Sequence, residues 1–209
     1  MKAILFTLLS TFLFCTSNLF AQNGYEQKMK EYVSVLDSTP DLQTNNEMIY
    51  NFERLMKVYP EEWTIKYYKA YCIFRKALLN PQEGESHLEE TLRYIESIDK
   101  NILENHVDFI ILKARVLFTM LSFSPSKGSE YSPIILSLLD ISLEKEPENS
   151  RAYYVYGLYY YHLPKFVGGN KNKACEYFKK AFYFFTNEDK NEIPHWAPIL
   201  YENGMKLCK

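Results

Sequence analysis

The residues of this chain best equipped for chemistry are its aromatics and a lysine-rich glycine turn. Tyr153, Tyr154, Tyr156, Tyr159, Tyr160 and Tyr161 surround one helical segment. A helix that is apolar on every side is sandwiched between neighbours. Tyrosine there in place of leucine implies hydroxyls that reach solvent or a polar partner. Two readings stand side by side: an aromatic concave groove that binds a peptide or glycan, or core packing of a helix touched from both sides. On the groove reading the binding residues are Tyr67, Tyr71, Tyr153, Tyr156, Tyr160 and Lys165. Gly168-Gly169, with Lys165, Lys171 and Lys173 close by, offers the parts of an anion cradle at a helix N-terminus. It lacks the G-x-x-x-x-G-K-[ST] spacing that binds phosphate, and reads more simply as a chain reversal with a solvated lysine face.

Other chemistries find little support. No G-x-S-x-G is present to expose a nucleophile. His87, His106, His162 and His195 stand apart, with no H-E-x-x-H, although His162 and His195 are near enough in the expected hairpins to meet. Glu61-Glu62 and Glu89-Glu90 are adjacent, and adjacent helix positions point in different directions. The expectation is a protein that is not an enzyme, with no catalytic residue, no metal ligands and no cofactor.

The first 21 residues read as a signal peptide. Lys2 gives a positive start, Ala3 to Phe14 is uncharged and apolar, and Leu19-Phe20-Ala21 precedes Gln22. The apolar run falls short of the ~20 residues of a membrane span. Phe14 stands before Cys15 where a lipobox requires a small residue. Residues 22–209 then form one domain, exported to the periplasm or beyond, with no stable membrane insertion after cleavage. Loss of Lys2 moves the formal charge from -2 to -3, a balance that favours neither nucleic acid nor an anionic membrane. With 47% hydrophobic and 24% charged residues the chain is not disordered.

Apolar residues recur with a period near 3.6 throughout, which predicts an all-α chain of about nine helices: 25–36, 45–58, 61–79, 82–98, 103–122, 133–145, 148–162, 170–185 and 194–207. Ser124 to Ser132 reads as a loop, with Pro133 in the first turn of the sixth helix. Ala70, Ala114 and Gly157 lie mid-helix at separations of 44 and 43 residues, each flanked by bulky residues. Small residues at such an interval let neighbouring helices approach, as an array of helical hairpins requires. The short Asn187–Ile193 connection makes the last two helices antiparallel. That sets Cys175, in the first turn of one, beside Cys208, at the end of the other, and predicts a Cys175–Cys208 disulfide with Cys72 as a buried free thiol.

The segment Tyr153-x2-Tyr156-Gly157-x2-Tyr160, followed by Ala174-x3-Phe178-x2-Ala181, resembles the tetratricopeptide-repeat (TPR) pattern. Tyrosines replace its Trp and Leu, and the link between the two helices is longer. The Ala21-Gln22 junction, the Lys165-to-Asn170 turn and the terminal His195-Trp196 with Cys208 also resemble a group of exported TPR-like proteins of Bacteroidetes. The resemblance implies export and an irregular α-solenoid of antiparallel hairpins, with no activity to carry over. The leading expectation is a non-catalytic interaction scaffold whose aromatic concave face takes a protein or peptide. The alternative is a small-molecule or glycan-binding accessory with a role in transport. Protein from its native host should begin at Gln22; an intact mass that retains Met1, or a lipid on Cys15, contradicts this.

Overall fold

The computed structural model describes residues 24–189 and 192–209. The segment 1–21, expected to be a signal peptide, lies outside the described residues. Two compact units are present. The first contains α1, residues 24–38, which carries Tyr25, Met29, Val33 and Leu36 at helical spacing. The second, Pro40–Lys209, contains every other described helix.

In the second unit, helices buried all round alternate with helices that bury one stripe. The first kind is α3 (Trp63–Leu79), α6 (Val107–Met120) and α8 (Ser150–His162). Their runs of aromatic and aliphatic residues leave at most a narrow polar stripe, such as Lys66, Lys69 and Lys76 on α3, so each lies between neighbours. The second kind is α4 (Gly84–Glu96), α7 (Gly128–Lys145) and α9 (Lys171–Asn187). These bury only Leu88 and Ile95, Ile135 and Leu139, and Ala174 and Phe178, with their close neighbours on the same stripe. The pairs are α3–α4, α6–α7 and α8–α9, while α3 packs on α6 and α6 on α8. Ala70 and Ala114 are fully buried mid-helix in α3 and α6, where the inner helices meet their neighbours. α2 (Leu42–Val58) precedes the series, capped by the Asp41 side chain accepting from the Thr44 amide. α10 (Pro198–Lys206) closes it against α8 and α9.

Three departures from the sequence expectation have a clear local setting, while the other ends shift by up to three residues. The expected helix 103–122 is broken into α5 (Lys100–Asn105) and α6 by His106, whose backbone is extended. Its ring stacks on Trp63 at 3.8 Å between centroids, and the Asp99 side chain caps α5 on its own. α7 begins five residues before Pro133, because a 3-10 turn, Pro125–Lys127, starts the coil early. Pro133 then forgoes one intrahelical bond and is tolerated near the helix start. The last helix begins at Pro198, leaving Pro194–Ala197 non-helical.

Close packing of three helices surrounds Phe178 of α9. A Cβ added to Gly157 in α8 would lie 2.5 Å from its ring, and one added to Gly204 in α10 would lie 2.7 Å away. Two glycines from different helices thus clamp one ring, and three helices approach through it. Cys175 and Cys208 are joined by a disulfide with Cα atoms 5.5 Å apart, which ties the start of α9 to the end of the chain. With its ends 33 positions apart in sequence, such a link stabilises by roughly 3–4 kcal/mol on the chain-entropy model. Cys72 is buried and free, and burial pushes its thiol up to about 12.

Alanine is a better helix former than glycine, but at Gly157 the methyl has nowhere to go. Gly157→Ala should destabilise by about 1–3 kcal/mol in thermal or urea unfolding. Unchanged or raised stability contradicts the Phe178 clamp.

Candidate functional site

The inner helices present the residues expected to form a concave groove, and the chain itself fills that space. Trp196, fully buried, reaches from the segment before α10 to the face made by α3, α6 and α8. Its indole Nε1–H donates to the Tyr67 hydroxyl at 2.8 Å. Its ring stacks on Tyr71 at 6.1 Å and meets Tyr154 edge-on at the same separation. The Arg115 guanidinium lies 5.0 Å from its centroid. One residue earlier, the backbone N–H of His195 donates to the Tyr68 hydroxyl at 3.1 Å. Burial raises the pKa of Tyr67 well above the ordinary phenol value, so its hydroxyl stays protonated.

The six residues named from the sequence therefore fall in three places. Tyr67 and Tyr71 lie in the core beneath Trp196. Tyr153, Tyr156 and Tyr160 meet Tyr177 of α9 in a stack, with Tyr177 4.6 Å from Tyr156 and 5.6 Å from Tyr160. Their polar ends are engaged: Tyr153 donates to the Pro147 carbonyl, Tyr156 to Asp140 of α7, and Tyr160 accepts from Lys173 Nζ at 2.8 Å. Lys165 is exposed, in the 3-10 turn Lys165–Val167 between α8 and α9.

That turn does not cradle an anion. Gly168 has φ of 101°, a left-handed conformation suited to glycine, and a side chain on Gly169 would collide with the Leu163 carbonyl. The amides are spent internally: Gly168 donates to Lys165, Gly169 to Pro164 and Asn170 to Tyr160. The double glycine serves a tight reversal.

Two sizeable cavities flank this filled face, at opposite ends of α6 and α8. The first, about 680 Å³, adjoins the helix N-termini and is polar and acidic, with Glu146, Glu148, Glu188 and Glu192 in its wall. Its one arginine, Arg151, is committed to Asp108 at 2.8 Å and to the Pro194 carbonyl at 2.9 Å. The second, about 820 Å³, lies at the helix C-termini and is mostly apolar. Phe118 and Leu121 of α6, His162 and Leu163 at the end of α8, and Phe166 and Val167 of the following turn line it. Phe118 and His162 stand 6.1 Å apart. Partial burial lowers the His162 pKa, keeping the imidazole neutral to lower pH than a free one. Phe166 is 88% exposed and Val167 51%. Two large apolar side chains held in water beside an apolar cavity mark a binding mouth. Among the described residues no group of His, Cys, Asp and Glu is placed to hold a metal ion.

The sequence pointed to Lys165 and His162 but missed Phe118, Phe166 and Val167. A signal was present: Phe166-Val167 is an apolar pair inside a Pro-to-Gly turn, where polar residues are the rule.

No protein-family model matches the chain, and no curated protein matches it in sequence. Among solved structures, the HusA haemophore from Porphyromonas gingivalis is similar, with 25% identity and a TM-score of 0.75 over 88% of this chain and 92% of that one. Among the described residues the chain is all-helical, and with that likeness it is a non-catalytic protein, secreted or periplasmic. No helix among the described residues is long and apolar enough to cross a membrane. The expectation of a protein or peptide partner is corrected here. A haemophore takes up haem, a small molecule, and the inner face meant for a peptide is occupied by Trp196.

Proposed function

We propose that this protein is an extracytoplasmic carrier of a flat, largely apolar small molecule of the porphyrin class, with haem as the first candidate cargo. The observation that carries the reading is the apolar cleft of about 820 Å³ with exposed Phe166 and Val167 at its mouth. Its size falls within the ~300–1,000 Å³ of small-molecule sites. The similarity to a haemophore over most of both chains supports it. Signal-peptide removal at residue 21 leaves 22–209 as the working protein, and the alternation of inner and outer helices supports reading its hairpins as a TPR-like solenoid.

Each side chain has a physical task. Phe118 and Phe166 offer ring faces for stacking. Leu121, Leu163 and Val167 exclude water from the edges of the flat ligand. His162, kept neutral by burial, is able to bind an iron atom through its imidazole. Lys165, exposed beside Phe166, places positive charge at the mouth. The tyrosine stack on Tyr177 holds α8 against α9 and fixes the end of α8 that carries His162.

Titration of the purified protein with haem should shift the Soret band and saturate. Phe166→Ala should weaken binding roughly 3–10-fold. His162→Ala should change the haem spectrum while leaving metal-free protoporphyrin affinity nearly unchanged. Partial desolvation lowers the His162 pKa, so haem affinity should fall on acidification only at a lower pH than a free imidazole would titrate, as the ring protonates. An unshifted Soret band in the wild type contradicts the reading.

A further inference from the structure

The apolar cleft has two kinds of wall. Its rings and aliphatic side chains come from α6, the end of α8 and the turn after it. The stretch from the end of α6 into α7 supplies Ser122, Ser126, Ser129 and Ser132. The last three recur at intervals of three, one in the 3-10 turn Pro125–Lys127 and two at the start of α7. Helix residues three apart are neighbours on one face, so Ser129 and Ser132 stand side by side.

These hydroxyls are uncommitted. Ser142, further along α7, donates to the Leu138 carbonyl at 2.7 Å, and Ser124 donates to Glu85. The four serines of the cleft have no hydrogen-bond partner among the described residues. They are also most of the polarity the cleft offers. No Asp, Glu, Lys or Arg lines it among the described residues, and His162 is its one other polar side chain there.

Ser122, Ser126 and Ser129 are exposed and Ser132 is half-buried, so water satisfies them while the cleft is empty. A plate seated on Phe118 displaces that water from the side it covers. An alkyl rim gives the hydroxyls nothing in return, and a covered hydroxyl without a partner is unfavourable. A rim that carries oxygen acceptors restores each bond, and an ionised oxygen makes it a stronger one. The first turn of α7, which no side chain caps, adds its positive end to the same wall.

We infer that Ser129 and Ser132 determine the specificity of the cleft, orienting the flat ligand with an oxygen-bearing edge, a carboxylate above all, toward the start of α7. The inference rests on the carrier reading of this cleft and narrows it. The cargo is amphiphilic, and the same plate with a purely alkyl rim is held less tightly.

The fold permits a test that leaves packing intact. Gly128 lines the same wall in ordinary helical geometry, with φ of -58°, and a Cβ added to it would meet no atom within 4 Å. A leucine there fits the fold and takes space from the ligand. Fluorescence titrations compare mesoporphyrin IX, which carries two acid arms, with etioporphyrin III, whose rim is alkyl throughout. The proteins are the wild type, Ser129→Ala with Ser132→Ala, Ser129→Thr with Ser132→Thr, and Gly128→Leu, each verified as folded by circular dichroism. The wild type should bind mesoporphyrin IX the more tightly. The double alanine variant should lose roughly 10-fold for mesoporphyrin IX, the span of two hydrogen bonds, and nothing for etioporphyrin III. The threonine variant keeps both hydroxyls and should keep the preference. Gly128→Leu should weaken both plates. A wild type without preference, a mesoporphyrin affinity that survives the double alanine change, or an equal loss for both plates overturns the serine assignment while the carrier reading stands. Binding of both plates unchanged by Gly128→Leu sets the ligand away from α7 and overturns it as well. Failure of the wild type to bind either plate overturns both readings.

Discussion

The burial of Trp196 is the contact on which the second unit depends. It joins the segment before α10 to all three inner helices, through Tyr67 and Tyr71 of α3, Arg115 of α6 and Tyr154 of α8. A row of helical hairpins has an open inner face, and an open face lined by aromatics would be exposed to water at considerable cost. Here the end of the chain closes that face. The disulfide between Cys175 and Cys208 and the clamp on Phe178 then hold α10 where the segment before it can reach inward.

Closure of the middle moves function to the ends. With Trp196 seated, the space left at α6 and α8 is divided into an acidic cavity at their N-termini and an apolar one at their C-termini. In the acidic cavity Arg151 is already paired with Asp108. The apolar one keeps Phe166 and Val167 in water at its mouth. Such local mismatches between chemistry and surroundings are where a ligand contributes what the protein alone does not. A carrier gains from this arrangement, since a site of this kind becomes favourable mainly when it is loaded.

The all-α, multi-helix character was legible because it is written in local sequence. Aromatics on every side of α3 and α8, small residues at Ala70, Ala114 and Gly157, and prolines between helices all act within a few residues of where they stand. His106 broke a helix that periodicity joined, because its stacking on Trp63 links positions 43 residues apart. The filling of the groove was invisible for the same reason. The hydrogen bond from Trp196 to Tyr67 spans 129 residues, and nothing in the local pattern of either residue announces the other. The tyrosines left open between core and groove separate accordingly, Tyr67 and Tyr71 beneath Trp196 and Tyr153, Tyr156 and Tyr160 in a stack along α8 and α9. Arg115 stands with Lys113 as a charge in the run from Phe109 to Met120, but its burial among Phe74, Tyr154 and Trp196 is a property of the folded state alone.

Hydrogen exchange of the Trp196 indole N–H, followed by NMR with the partly exposed Trp63 as an internal reference, tests closure of the inner face most directly. If Trp196 is sealed and bonded to Tyr67, its indole proton should exchange only through global unfolding, with a free energy equal to that from urea denaturation. Exchange as fast as that of Trp63 would mean that the segment before α10 leaves the groove open, and would contradict the account.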